Sequence, residues 1–142
     1  MLKKLLLIIL AWTCFNCKTE TTTYGITGTW KLVYAEVVEN DSTKIKDLKN
    51  TEFIKIINDS HFAFFNQGIK NDAHFYSGAG TYTKERNRYE EILKYTSAQE
   101  LKDHKFSFQI EFKGDTLIQS GQELIKEAGI NRTITEKYIK MN

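Results

Sequence analysis

The sequence predicts an all-β domain, an antiparallel barrel of about eight strands with one or two short helical turns. Three features of its 142 residues support this prediction. Aromatic residues make up 13% of the chain and stand beside Thr, Val and Ile in short runs, which is typical of half-buried strands. Within these runs bulky and polar residues alternate, as they do in an extended chain with one buried face. Turn-forming pairs such as Asn58-Asp59 and Gly114-Asp115 separate the runs, and the chain contains no proline.

The first 17 residues have the three-part layout of an export signal. Lys3 and Lys4 give a basic start, residues 5–12 form an apolar run, and the polar tract 18–23 follows. The apolar run is shorter than the roughly 20 residues that a membrane-spanning helix needs, so we do not expect a permanent transmembrane anchor. We interpret residues 1–17 as an export signal, 18–24 as a flexible tether and 25–142 as a single domain.

Both cysteines of the chain, Cys14 and Cys17, lie at the end of the export signal, so an internal disulfide framework is excluded. A cysteine that follows an apolar run and precedes a polar tether resembles the lipobox of bacterial lipoproteins, in which that cysteine is diacylated. We expect lipidation at Cys17, with Cys14 as the alternative. An ordinary cleaved signal stays open, because Asn16 stands where lipoboxes usually have Gly, Ala or Ser. The expected location is the cell envelope, periplasmic or at the outer surface, with a lipid anchor in the membrane.

The strands of the domain follow from alternation and turn signals. In the first, residues 28–38, Trp30, Leu32 and Tyr34 fall on one face. A hairpin at Gly114-Asp115 joins the predicted strands at 105–113 and 116–120. Residues 77–81 are interpreted as a strand kept thin by small side chains, which allow bending or close packing. Short helical turns are predicted at 97–101 and 122–128. Residues 84–103 leave a helix open as an alternative. The further strands are predicted at 51–57, 61–66, 75–84, 88–95, 105–113, 116–120 and 132–141.

Gly28-Thr29-Trp30 resembles the Gly-x-Trp opening of lipocalins and their bacterial lipocalin-like relatives, and residues 89–92, 106–119 and 135–139 are similar to later segments of such domains. The resemblance implies an antiparallel barrel that holds a hydrophobic molecule. It also implies that an arginine near the last strand, here Arg132, packs across Trp30 and closes one end of the barrel, a contact worth about 0.5–2 kcal/mol. The Arg-x-Tyr arrangement with which fatty-acid-binding relatives hold a carboxylate is missing, because Thr133 and Ile134 follow Arg132.

The barrel interior is the expected functional site. Aromatic side chains that point inward would bind a small hydrophobic molecule or a lipid, and the residues assigned this role are Tyr34, Phe64, Tyr95, Phe108 and Tyr138. The residues leave a second reading equally open. In that reading such side chains fill the barrel, and the protein is a non-catalytic interaction module of the envelope.

Charge and motifs argue against several other functions. Of the chain's 20 basic residues, Lys3 and Lys4 belong to the signal, so the chain without the signal has 18 basic and 18 acidic residues and is not expected to bind nucleic acid. The three histidines, His61, His74 and His104, have no partner at a metal-ligand spacing. The sequence also lacks a nucleophile motif. We therefore expect a protein that is not an enzyme, with no metal or cofactor, and a monomer.

Overall fold

The computed structural model describes residues 25–69 and 74–142, and the predictions for Cys14, Cys17 and the tether lie outside these ranges. None of the helical elements in these residues has the length and hydropathy to cross a membrane. Two 3-10 turns, Gln99–Leu101 and Lys126–Ala128, accompany the strands. The strands of the described residues are β1 Gly28–Glu39, β2 Ser42–Ile45, β3 Thr51–Ile57, β4 His61–Gly68, β5 Phe75–Glu85, β6 Arg88–Thr96, β7 Lys105–Lys113, β8 Thr116–Ile125 and β9 Ile130–Lys140.

Eight of these strands close into an antiparallel barrel. From β3 to β9 each strand pairs with the next, and β1 pairs with both β3 and β9. The closing register runs from Trp30 opposite Lys140 to Val38 opposite Thr133. The predicted fold class is therefore confirmed, and residues 88–96 form a strand rather than part of a helix.

The additional strand, β2, lies outside the barrel and pairs with the last four residues of β1. Asn40 and Asp41, with φ of 48° and 57°, connect the two strands in a tight hairpin. β2 was not predicted from the sequence, because all four of its residues are exposed and show no apolar alternation.

The predicted helical turn at 122–128 is shorter in the structure. β8 continues to Ile125, which pairs with Ile130 of β9. Only Lys126–Ala128 is helical, and Gly129 ends that turn in the left-handed conformation, with φ of 65°. The ladder with β9 thus extends over residues whose local composition favours a helix.

Two β-bulges change which side chains face the interior. The register of β1 with β9 shifts between Leu32 and Tyr34, and that of β5 with β6 shifts so that Gly80 pairs with Leu93 but Ala79 pairs with Tyr95. One extra residue reverses the alternation beyond it. The prediction that Tyr34 and Tyr95 point inward is therefore wrong, because both lie beyond a bulge and face outward.

One end of the barrel is filled by side chains around Trp30, which is 1% exposed. The indole N–H donates a hydrogen bond to the carbonyl oxygen of Ile26 at 2.8 Å. The ring centroids of Trp30 and Phe112 are 6.1 Å apart. We call this the closed end of the barrel.

The cation over Trp30 is Lys140, not Arg132. The Lys140 Nζ lies 5.7 Å from the Trp30 ring centroid. Arg132 lies near the start of β9, toward the other end of the barrel, where its Nε donates to Glu123 Oε2 at 2.5 Å. The prediction that Arg132 packs across Trp30 is wrong, because the closing register places Lys140 opposite Trp30.

Candidate functional site

A cavity of about 330 Å³ lies inside the barrel, in the half away from Trp30. Its volume is at the lower end of the range of small-molecule sites. Strands β3 to β9 and the first 3-10 turn provide its lining. The barrel is therefore packed at its closed end and hollow toward the other end, which we call the mouth. The residues that line the cavity include Phe53, Lys55, Phe64, Glu91, Leu93, Ala98, Leu101, Phe106, Phe108, Gln119, Glu123, Arg132, Ile134, Glu136 and Tyr138.

The walls of the cavity are mainly aromatic. Phe53 and Phe64 stack with their ring centroids 5.5 Å apart, and Phe106 and Phe108 stack at 6.3 Å. Alternation along strands β3, β4 and β7 directs these side chains inward. Such walls favour an apolar ligand, because each contact removes apolar surface from water.

Glycines keep the strands close to these rings. A Cβ atom at Gly78 would lie 2.6 Å from the Phe64 ring, and one at Gly121 would lie 2.8 Å from the Phe108 ring. At Gly80, beside the bulge in β6, a Cβ would lie 1.8 Å from the Ile92 carbonyl oxygen. The interpretation of residues 77–81 as a strand kept thin for close packing is confirmed.

A polar cluster around Lys55 separates the cavity from the closed end, and we call it the floor. Lys55 is 3% exposed, and its Nζ forms an ion pair with Glu91, which is 5% exposed. The same Nζ donates to Gln119 Oε1 at 3.0 Å. It also lies 5.3 Å and 5.9 Å from the ring centroids of Tyr89 and Tyr138. The buried ammonium is thus held by a carboxylate, an amide oxygen and aromatic faces.

Glu136 and Tyr138 complete the floor. Tyr138 donates its hydroxyl to Glu136 Oε2 at 2.6 Å, and Gln119 Nε2 lies 3.4 Å from the same oxygen. Desolvation raises the pKa of Glu136, and the nearby charge of Lys55 opposes that rise. Burial and the adjacent Glu136 raise the pKa of Tyr138 well above its usual value, so this hydroxyl stays a donor at neutral pH.

The floor residues were not predicted as site residues, although the sequence contains a signal for them. Lys55 stands between Phe53 and Ile57 on the inward face of β3, and Glu91 stands between Tyr89 and Leu93 on the inward face of β6. A charged residue on the apolar face of an alternating strand indicates a buried partner of opposite charge.

The mouth is polar. Lys46 follows β2 and donates to Asn66 Oδ1 at 2.7 Å and to the Tyr76 hydroxyl at 3.0 Å. The Arg132–Glu123 pair lies on the opposite wall, and both of its residues line the cavity. A ligand that enters here would pass a rim of hydrogen-bonding groups before it reaches the phenylalanines.

Of the five residues assigned to ligand binding, Phe64, Phe108 and Tyr138 line the cavity and the other two do not. Tyr34 donates to Glu36 Oε2 at 2.6 Å on the outer face of β1. Tyr95 is 71% exposed on the outer face of β6. The structure thus brings together three of the five.

Among the described residues no group of three or more His, Cys, Asp and Glu side chains is arranged to hold a metal ion. The ionisable groups of the cavity instead pair with one another or with neutral polar side chains. The arrangement is suited to holding a molecule with an apolar body and a polar head group.

Comparison with known proteins identifies the domain at the level of a family. The family model described as "Domain of unknown function (DUF4488)" matches residues 25–142, which include every strand of the barrel. No curated protein matches the chain.

Proposed function

The chain belongs to the DUF4488 family, and from that premise we propose that its barrel is a lipocalin-like carrier or sensor that binds a small, largely apolar molecule. The observation that carries this proposal is the cavity of about 330 Å³, with phenylalanine walls and polar groups that converge at its floor. Apolar walls with a few convergent polar groups are the usual composition of small-molecule sites.

The barrel is packed at one end and hollow at the other. This supports binding inside the barrel rather than the alternative, a filled barrel that acts only through its outer surface. Side chains fill the closed end around Trp30, yet the same kind of residues leave a cavity between Phe53 and Ile134. A barrel of eight strands is just wide enough to be filled by side chains or to hold one small ligand.

We further propose that the protein is exported and held in the cell envelope by a lipid on Cys17, with Cys14 as the alternative. The layout of residues 1–17 supports this location. Palmitate labelling of the wild type, Cys17→Ala and Cys14→Ala tests it, and loss of label in Cys17→Ala alone is the expected result. Label in Cys17→Ala would contradict the assignment of Cys17, and label in the double variant Cys17→Ala/Cys14→Ala would contradict lipidation of either cysteine.

The proposed role is binding without chemistry, by a monomer that has no affinity for nucleic acid. The carboxyl groups of the cavity hold cations or accept hydrogen bonds from Gln119 and Tyr138. Within residues 25–69 and 74–142 these groups form no arrangement of nucleophile, base and orienting group, which supports a role in binding.

Binding in the cavity is tested with N-phenyl-1-naphthylamine, a neutral apolar dye whose fluorescence rises in apolar surroundings. Ala98→Trp would place an indole in the cavity and is expected to weaken dye binding at least tenfold. Ala63→Trp is the matched control, because Ala63 lies on the outer face of β4 and does not line the cavity. Equal affinity of both variants, or no dye binding by the wild type, would overturn the proposal.

A further inference from the structure

The ionisable side chains that line the cavity include more carboxyl groups than cations. Lys55 and Arg132 are the cations, and Glu91, Glu123 and Glu136 are the carboxyl groups. Each cation already has a carboxylate partner, Glu91 for Lys55 in the floor and Glu123 for Arg132 at the mouth. Among the described residues, Glu136 is therefore the cavity carboxyl group without an ion-pair partner of its own.

Glu136 is also incompletely hydrogen bonded. Tyr138 and Gln119 both direct their donors at Oε2. Oε1 accepts no hydrogen bond from the described residues, and the side chain faces the cavity. A carboxyl oxygen that faces a cavity has room for further hydrogen-bond donors. The floor thus offers an acceptor to whatever occupies the cavity.

We propose that the cavity selects amphiphiles with a primary amine head group, which binds Glu136 as an ammonium while the hydrocarbon chain lies between the phenylalanines. This inference rests on the proposed function. An ammonium supplies both things that Glu136 lacks in the described structure, a positive charge and a hydrogen-bond donor. At the floor, a head group that carries a carboxylate would instead meet Glu136 and Glu91, and the floor cation Lys55 is already paired with Glu91.

The dimensions of the cavity set the size of the probe. Glu136 lies four residues along β9 from Arg132 at the mouth, and a strand rises about 3.3 Å per residue, so the floor is about 13 Å from the rim. A straight chain of ten carbons suits this depth and the small volume. Decylamine, decanol and decanoate then form a series with one chain and three head groups.

The test is isothermal titration of the protein with each of the three compounds at pH 7, below the concentration at which they aggregate. We expect decylamine to bind at least tenfold more tightly than decanoate, with decanol between them. Glu136→Gln is expected to lower the affinity for decylamine to that for decanol and to leave decanol within threefold of the wild type. The matched control is Glu52→Gln, because Glu52 pairs with Lys31 outside the cavity. It should change none of the three affinities.

The outcomes separate this inference from the proposed function. If decanol binds and decylamine has no advantage, or if Glu136→Gln keeps the advantage, the head-group assignment is overturned and the binding cavity stands. If the wild type binds none of the three, the proposed function itself fails. The comparison of head groups on the wild type needs no variant, so it stands even if Glu136→Gln does not fold.

Discussion

Removing the buried cation of the cavity floor is expected to destabilise the barrel strongly. Lys55 and Glu91 are 3% and 5% exposed, so Lys55→Met leaves the Glu91 carboxylate buried without its partner. Breaking a buried ion pair in this way costs about 3–5 kcal/mol. Gln119 Oε1 loses the donor that now lies 3.0 Å away, which adds to the loss.

This loss is large compared with the stability of a single domain. Domains are typically stable by about 5–15 kcal/mol, so Lys55→Met would remove about a fifth or more of the free energy of unfolding. At about 4 °C per kcal/mol for a domain of this size, Tm would fall by about 12–20 °C. The double variant Lys55→Met/Glu91→Leu removes both charges and is expected to regain most of the loss, since apolar replacement of a whole buried pair is often neutral or stabilising.

Urea unfolding at pH 7, followed by Trp30 fluorescence, measures these differences. Lys31→Met is the matched control, because Lys31 and Glu52 form an ion pair of 2.9 Å whose side chains are each 44% exposed. Such surface pairs contribute about 0–1 kcal/mol. A stabilising role of the buried Lys55–Glu91 pair is refuted if Lys55→Met loses no more stability than Lys31→Met, or if the double variant is less stable than Lys55→Met alone.

Three further predictions concern packing and pH. Gly121→Ala should lower the free energy of unfolding by about 1–3 kcal/mol in thermal unfolding, because its Cβ would lie 2.5 Å from a backbone oxygen of β7; an unchanged Tm would contradict this close approach. Desolvation raises the pKa of Glu136, so the folded state binds its proton more tightly and stability should fall as pH rises from about 4.5 through the folded pKa. Urea unfolding of Glu136→Gln across that range should show a smaller fall, and identical slopes would argue against it. Lys105 and Arg88 lower the pKa of Glu90 to about 2, so the Glu90 carboxylate should stabilise the folded state above pH 4.5 and lose this effect as the pH falls toward 2. Glu90→Gln should reduce this acid dependence in the same urea assay.

Local patterns were enough to predict the strands. Residues 105–113 alternate four large apolar side chains with polar ones, and β7 has those bounds. The pair Gly114-Asp115 forms the following hairpin, with Gly114 at φ of 58°. Such features depend on neighbours along the chain, so a sequence alone contains them.

The errors at the candidate site arise where contacts between distant residues decide the outcome. Tyr34 and Tyr95 continue the alternation of their strands in the sequence, but a bulge before each turns it outward. Arg132 and Lys140 both lie on the last strand, and only the register with β1 decides which of them reaches Trp30. A one-residue shift in pairing exchanges the two faces of a strand, and composition does not determine that shift.

The polar floor is hard to explain by stability alone. A well-packed apolar set in place of Lys55, Glu91 and Gln119 would hold the strands together without the desolvation of two charges. The chain is capable of such packing, because the closed end around Trp30 consists of it. What distinguishes the floor is that these side chains and Glu136 border the cavity. Buried polar groups that stabilise the fold no more than apolar side chains would, and that face an internal space, are understandable if they recognise what enters it. Substitutions in the floor are therefore expected to change ligand preference as well as stability.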